Sequence, residues 1–169
     1  MNVFDATIPV LTKFLTNIER WIDKAAAHAD ARKFDAEKFM TARLAVDQYD
    51  FIGQIQAACD QAKYTAAKLS GKAPPSHPDE EKTLAEVRAR LKTVIEYLGT
   101  FKPEDFAGAE DRDVTYAWMQ GKSIRGLDYL NQMALPNFYF HVTTAYAILR
   151  KAGVDLGKQD FLGGLPFKG

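Results

Sequence analysis

Leu135-Pro136-Asn137-Phe138-Tyr139-Phe140-His141-Val142-Thr143-Thr144-Ala145-Tyr146-Ala147-Ile148-Leu149-Arg150 is the most apolar and aromatic run in the chain. At helical spacing Phe138, Val142, Ala145 and Leu149 form one stripe, with His141 and Ile148 along its flank. A helix apolar on most sides belongs at the centre of a domain. Asn137 and His141 stand four residues apart, so their side chains share one face of that helix.

The remaining chain supplies helices to surround it. At 169 residues the chain is read as a single domain, 1–169. A domain of that size buries roughly 70% of its unfolded surface and needs neither metal nor disulfide to fold. Twenty-two basic and twenty-two acidic residues cancel. That balance argues against nucleic acid, whose phosphates demand a positive surface, and against electrostatic docking on an acidic membrane. Cys59 is the sole cysteine, which fits a reducing cytoplasm. Met1-Asn2-Val3-Phe4-Asp5 lacks the basic start and long apolar core of a secretory signal, and no window is long enough to cross a membrane.

The first helix is predicted over Asp5 to Ala29, where Ile8, Leu11, Leu15, Ile18, Ile22 and Ala25 recur by threes and fours. Asp30 to Val46 reads as a connection folded over one end, with Asp35 capping a short helical turn. The second helix is expected from Asp47 to Leu69, capped by Asp47, with Asp50 in its first turn. Its small residues, Gly53, Ala57, Ala58, Cys59, Ala62 and Ala66, invite close approach by a neighbour. Lys72 to Pro78 is a proline-rich linker.

The third helix reads from Asp79 to Leu98, with Leu84, Val87, Leu91, Val94, Ile95 and Leu98 inward. Glu86, Arg88, Arg90, Lys92 and Glu96 make a solvated face. Gln120-Gly121 is a turn dipeptide between Asp113–Met119 and Lys122–Arg125, which are read as two short strands. Asp128 then caps a fourth helix reaching Lys151, kinked at Pro136. Phe161, Leu162 and Phe167 suggest a tail docked on the body. The fold class is all-α, a four-helix bundle with a short β-hairpin between the third and fourth helices.

His141 is the main candidate for chemistry. A neutral imidazole in a bundle can ligate a metal or act as a general base, and it can equally be a core histidine satisfied by a carbonyl or a phenol. Asp47, Asp50, Gln54 and Gln61 form a polar line on the second helix, either facing the same cavity or lying as an exposed stripe. Ala109-Glu110-Asp111-Arg112-Asp113 is a charged loop that could clamp a ligand or simply pair with itself. Cys59, among alanines, reads as a small buried hydrophobe. His28 and His77 fall far from His141 in sequence, and no GxSxG, HExxH, Walker or Rossmann signature occurs.

Four stretches together resemble a bacterial domain-of-unknown-function family grouped with the DinB/YfiT-like candidate metalloenzymes. They are Ala42-Arg43-Leu44 with Asp47, Gln54-Ile55-Gln56-Ala57-Ala58-Cys59-Asp60, Gly108-Ala109-Glu110-Asp111-Arg112, and Leu135 to Tyr146. The resemblance runs nearly the whole chain, to Asp160-Phe161-Leu162-Gly163. It implies a DinB-like bundle, often a homodimer, whose better-known relatives are metal-dependent enzymes acting on low-molecular-weight thiols. Their metal sits on three histidines, one in the second helix and two spaced four apart in the last.

In this chain His141 matches the final histidine of that set. Asn137 stands where its partner would be, and Gln54 or Gln56 where the second-helix ligand would be. The resemblance therefore implies a degenerate metal site in a bundle that binds a small ligand or partner, with Asp47, Asp50, Gln54, Asn137 and His141 as ligand-binding candidates. The alternative is a metal-dependent enzyme of the thiol-transferase type, using His141 and a divalent metal such as zinc or nickel.

Overall fold

A computed structural model describes residues 2–167; Met1 and the end of the tail, Lys168 and Gly169, lie outside the described residues. Four long helices carry the fold: α1 (Val3–Ala31), α2 (Phe51–Ser70), α3 (Leu84–Leu98) and α5 (Leu135–Lys151). A two-stranded antiparallel ribbon, β1 (Asp113–Val114) with β2 (Ile124–Arg125), precedes a single turn, α4 (Gly126–Tyr129). A short helix, α6 (Lys158–Leu162), closes the chain. No described helix is long and apolar enough to cross a membrane.

α2 occupies the middle, packed along α5 and against α3 and α1. Its position follows from its composition. Ala58, Cys59, Ala62, Ala66 and Ala67 are fully buried, so neighbouring backbones come close on more than one side. α1 contributes Leu11, Leu15, Ile18, Trp21 and Ile22, all fully buried. Burying one such aliphatic side chain contributes roughly 1.5–3 kcal/mol. From α5, Phe138, Val142, Ala145 and Leu149 are fully buried, the stripe that its spacing predicts.

Several boundaries differ from expectation, each for a local reason. α2 begins at Phe51, with Asp50 as its cap: the Asp50 carboxylate accepts from the Gly53 N–H at 3.1 Å. Asp47 lies outside the helix and is exposed. α3 begins at Leu84 and not at Asp79, because Thr83 and Glu86 form a capping box. The Glu86 N–H donates to Thr83 Oγ1 at 3.2 Å, and the Thr83 N–H to Glu86 Oε2 at 2.9 Å. The ribbon strands hold two residues each, since Ala117–Met119 turn into a 3-10 segment and Gln120 adopts a left-handed conformation before Gly121.

The last helix starts at Gly126, two residues before Asp128. It passes through a π turn at Leu130–Ala134 before resuming as α5. Pro136 sits in the first turn of α5, where its missing N–H removes a hydrogen bond from the preceding turn, and the π turn is the local adjustment. The tail docks through Phe161. That ring stacks on Trp21 with centroids 5.9 Å apart, and the Trp21 indole N–H donates to the Asp160 carbonyl at 3.0 Å. Phe167, expected to dock as well, is 86% exposed, and Leu162 is only half-buried. The connection after α1 behaves as its sequence suggests, with Asp35 capping a 3-10 turn and Phe39 buried beneath it.

One glycine is fixed by close approach. A Cβ on Gly126 would run into the carbonyl oxygen of Ala109, a residue fully buried in the loop before β1. Backbone cannot yield as a flexible side chain can. Gly126→Ala is therefore expected to cost about 1–3 kcal/mol or more, read as a lower midpoint in urea with unchanged slope. A variant as stable as the parent would show that the α4 junction is loosely held.

Candidate functional site

A cleft of about 590 Å³ is lined by α2, α5 and the segments ahead of α2 and α3. Tyr49, Asp50, Gln56, Asp60, Gln61 and Tyr64 come from the α2 side, Asp79 from the linker, and Asn137 and His141 from α5. The cleft is open to solvent. It is not the interior hollow that the apolar run suggested: Phe51, Ile55, Phe138 and Val142 occupy the bundle interior, fully buried. Asn137 is exposed and His141 half-buried.

Two glutamine amides inside α2 decide how α5 presents its polar groups. Gln54 is 1% exposed and Gln61 7% exposed. A buried amide must find partners for both ends. The Gln54 Nε2 donates to the Tyr49 carbonyl at 3.1 Å, which leaves Oε1 facing His141 Nδ1 at 2.8 Å. A carbonyl oxygen only accepts, so Nδ1 must carry the proton. The neutral ring then presents an unprotonated Nε2. Burial lowers the His141 pKa, which favours that neutral form.

Gln61 makes the parallel arrangement two turns further along α2. The Thr65 hydroxyl donates to the Gln61 backbone carbonyl at 2.7 Å, so its oxygen accepts from Gln61 Nε2 at 3.0 Å. Gln61 Oε1 then accepts from Asn137 Nδ2 at 2.7 Å. Asn137 Oδ1 is left as an acceptor. Behind Gln61, the Tyr129 and Tyr116 hydroxyls share a 2.8 Å hydrogen bond that extends the network to the ribbon.

Gln54, Asn137 and His141 are thus brought together, and Asp50 joins them at the rim, paired with Arg43 at 3.1 Å. Asp47 is not among the lining residues. Its place is taken by Asp60 and Asp79, neither of which stands out in the sequence as a site residue. Both are held by Arg90. One guanidinium nitrogen lies 2.9 Å from Asp60 Oδ1, and the other lies 2.9 Å from Asp79 Oδ1 and from Glu81 Oε1. Lys63, 1% exposed, adds a second cation on Asp60 Oδ1 at 2.9 Å.

Arg90 was expected on a solvated face, yet its side chain is 3% exposed. The signal was present: Arg90 stands three residues after Val87 and four before Val94, on the buried stripe. Burial pushes the Glu81 carboxyl up, but hydrogen bonds from Gln56 and Arg90 outweigh it and hold the carboxyl below its ordinary range.

The other candidates lie elsewhere. Cys59 is fully buried beside Arg90, and burial pushes its thiol up to about 12, far from a reactive thiolate. The Glu110–Asp113 loop packs against the start of α4 through the Leu127 N–H on the Glu110 carbonyl, 2.9 Å long, and forms an exposed pair between Asp111 and Arg125. His28 is half-buried against Phe34 and Phe39. Among the described residues no group of three or more His, Cys, Asp and Glu side chains is placed to hold a metal ion. One imidazole beside two amides does not fit the closed or three-ligand coordination that zinc adopts.

These features define a helical bundle of the DinB type with a single imidazole in its inter-helix cleft. Residues 3–162 match the family described as "Domain of unknown function (DUF1993)", and the chain belongs to that family. Its structure is similar to the crystal structure of a DinB family member protein from Shewanella denitrificans, with a TM-score of 0.96 and 43% sequence identity, covering 99% of this chain and 95% of the other. Among curated proteins none matches.

The lowered His141 pKa has a definite sign in stability. Between that lowered value and the ordinary one near 6.5, the unfolded chain binds a proton that the folded chain does not. The His141 contribution is therefore fully present above about 6.5 and is lost as pH falls through the lowered value. The His141 imidazole resonances are expected to titrate with a midpoint below 6.5, and His141→Gln should lose less stability than the parent between pH 7 and pH 5. A midpoint at or above the ordinary value would mean that the ring is solvated in the folded protein.

Proposed function

We propose that this protein binds a small molecule in the α2–α5 cleft, with His141 Nε2 as the acceptor around which the ligand is placed, and that its metal site is degenerate. The observation that carries this reading is the 2.8 Å contact between Gln54 Oε1 and His141 Nδ1. A buried amide spent on fixing one tautomer gives the other ring nitrogen a fixed direction and a free lone pair. A histidine serving only to fill the core would have both nitrogens absorbed by the protein.

The same hydrogen bond is the kind that orients a metal-bound histidine. It supports the metal-dependent reading as far as one ligand. The remaining ligands of the thiol-transferase type are what the cleft lacks, since Gln54 is committed to His141 and Asn137 to Gln61. Elemental analysis of the purified protein is expected to give well under one equivalent of zinc, nickel or iron, unchanged in His141→Ala. A full equivalent that disappears in His141→Ala would overturn the degenerate-site reading and reinstate the metalloenzyme.

A homodimer accompanies this reading. Its support is the habit of the superfamily and the exposure of Leu44, Val46 and Phe140, at 42%, 96% and 52%. Light scattering at micromolar concentration is expected to return about twice the 18.9 kDa chain mass; the single-chain mass would remove it. A cytoplasmic setting is consistent with the buried free thiol of Cys59.

A further inference from the structure

We propose that the cleft selects a small organic cation, an alkylammonium compound, placed among the free oxygens of Asp60 and Asp79 and the Nε2 of His141. This inference rests on the reading of the cleft as the binding site and names the chemical class of its ligand.

Among the described residues the lining holds three carboxylates, Asp50, Asp60 and Asp79, and no lysine or arginine. Asp50 is matched by Arg43 at the rim. Asp60 and Asp79 are matched differently. Lys63 and Arg90 reach them from within the protein, both buried, and every one of those contacts is to Oδ1. Oδ2 of each carboxylate makes no hydrogen bond among the described residues. Asp60, Asp79 and Glu81 together carry one more charge than Lys63 and Arg90, so the network is left one cation short.

Hydrogen-bond polarity points the same way. The Gln54 and Gln61 amides are oriented so that α5 offers acceptors, His141 Nε2 and Asn137 Oδ1. Gln56 gives its amide N–H to Glu81 Oε2 at 2.8 Å, which leaves its carbonyl oxygen free. The two tyrosine hydroxyls in the lining accept as readily as they donate. A carboxylate or phosphate ligand would face lone pairs on nearly every side. An ammonium, with three donors and a positive charge, meets what the wall supplies.

The walls also accept a cation on their aromatic surfaces. The Tyr64 ring already carries the protein's own cation, the buried Lys63 with its Nζ 5.0 Å from the centroid, so the aromatic surface left for a ligand is that of Tyr49. Tyr49 stacks on His141 at 6.4 Å with 60% of its surface exposed, so an aromatic face stands at the mouth. A bare divalent ion would satisfy the charge, but a cavity of about 590 Å³ with one imidazole is built for something larger.

The test follows the His141 imidazole resonances while 1,4-diaminobutane, butyrate, 1-butanol and zinc are titrated separately at constant ionic strength. The expected result is a saturable shift with the diamine alone, weakened about tenfold or more in Asp79→Asn, the loss of one charge-assisted contact worth roughly 1.4 kcal/mol. Asp79 is 57% exposed, so that variant is expected to fold. Saturation by butyrate, butanol or zinc with none by the diamine would overturn the cationic assignment and leave the cleft as the binding site. Diamine binding untouched by Asp79→Asn, or no response to any probe, would also overturn it. In the last case the reading of the cleft as a binding site falls with it, whereas saturation by butyrate, butanol or zinc removes the cationic assignment alone.

Discussion

The structure depends on a constraint in the middle of α2: two glutamine amides are buried there, and each must be satisfied at both ends. Leaving a buried polar group unpaired costs about 1–3 kcal/mol. Gln54 completes its set with His141 opposite, and Gln61 with Asn137 opposite. The register of α5 on α2 is thereby fixed by hydrogen bonds as well as by packing. The alanines of α2 make the contact close, and the amides make it specific. The polar line of one helix and the aromatic run of another are two halves of one device.

A second layer stands behind that device. Arg90 gathers Asp60, Asp79 and Glu81 from α2 and the proline-rich linker into one cluster, and Lys63 shares Asp60. Buried ion pairs of this kind add little net stability compared with apolar packing, but removing one partner leaves an uncompensated charge. Their effect here is placement. Arg90 ties the linker to the bundle through the Pro78 carbonyl at 3.2 Å and the Asp79 and Glu81 carboxylates that follow it. In this way Asp79 reaches a cleft formed by helices it does not belong to.

How much of this could be read from the residues depended on the range of the interaction. The stripes of α1, α3 and α5 were legible because helical periodicity is local: Leu11, Leu15, Ile18 and Ile22 announce their own face. The pairing of His141 with Asn137 was legible for the same reason, and the DinB-like architecture followed from the stretches that carry the resemblance. Cap positions were less so. Asp47 and Asp50 are equivalent as cap candidates in composition, and only the packing of Phe51 into the core decides for Asp50.

Arg90 and its carboxylates were hidden because a charge in a helix is normally solvated, and its partners arrive from residues 12 and 30 positions away. Gln61 was seen as a polar stripe member but not as the partner of Asn137. Nothing in a single chain states which amide faces which.

The π turn at Leu130–Ala134 sets the phase of everything downstream. An α-helix advances 100° per residue, so a widened turn that holds one extra residue rotates all later side chains by about that angle relative to an unbroken helix. Asn137 and His141 face α2 because of that offset, while Tyr129 ahead of it still points at Gln61 from the other side. A shortening by one residue within Leu130–Ala134 would yield a more regular helix whose imidazole looked elsewhere. The irregularity next to Pro136 thus sets the phase of the whole of α5: the offset that aims His141 at the cleft is the same one that keeps Phe138, Val142, Ala145 and Leu149 in the core, so neither can be turned without the other.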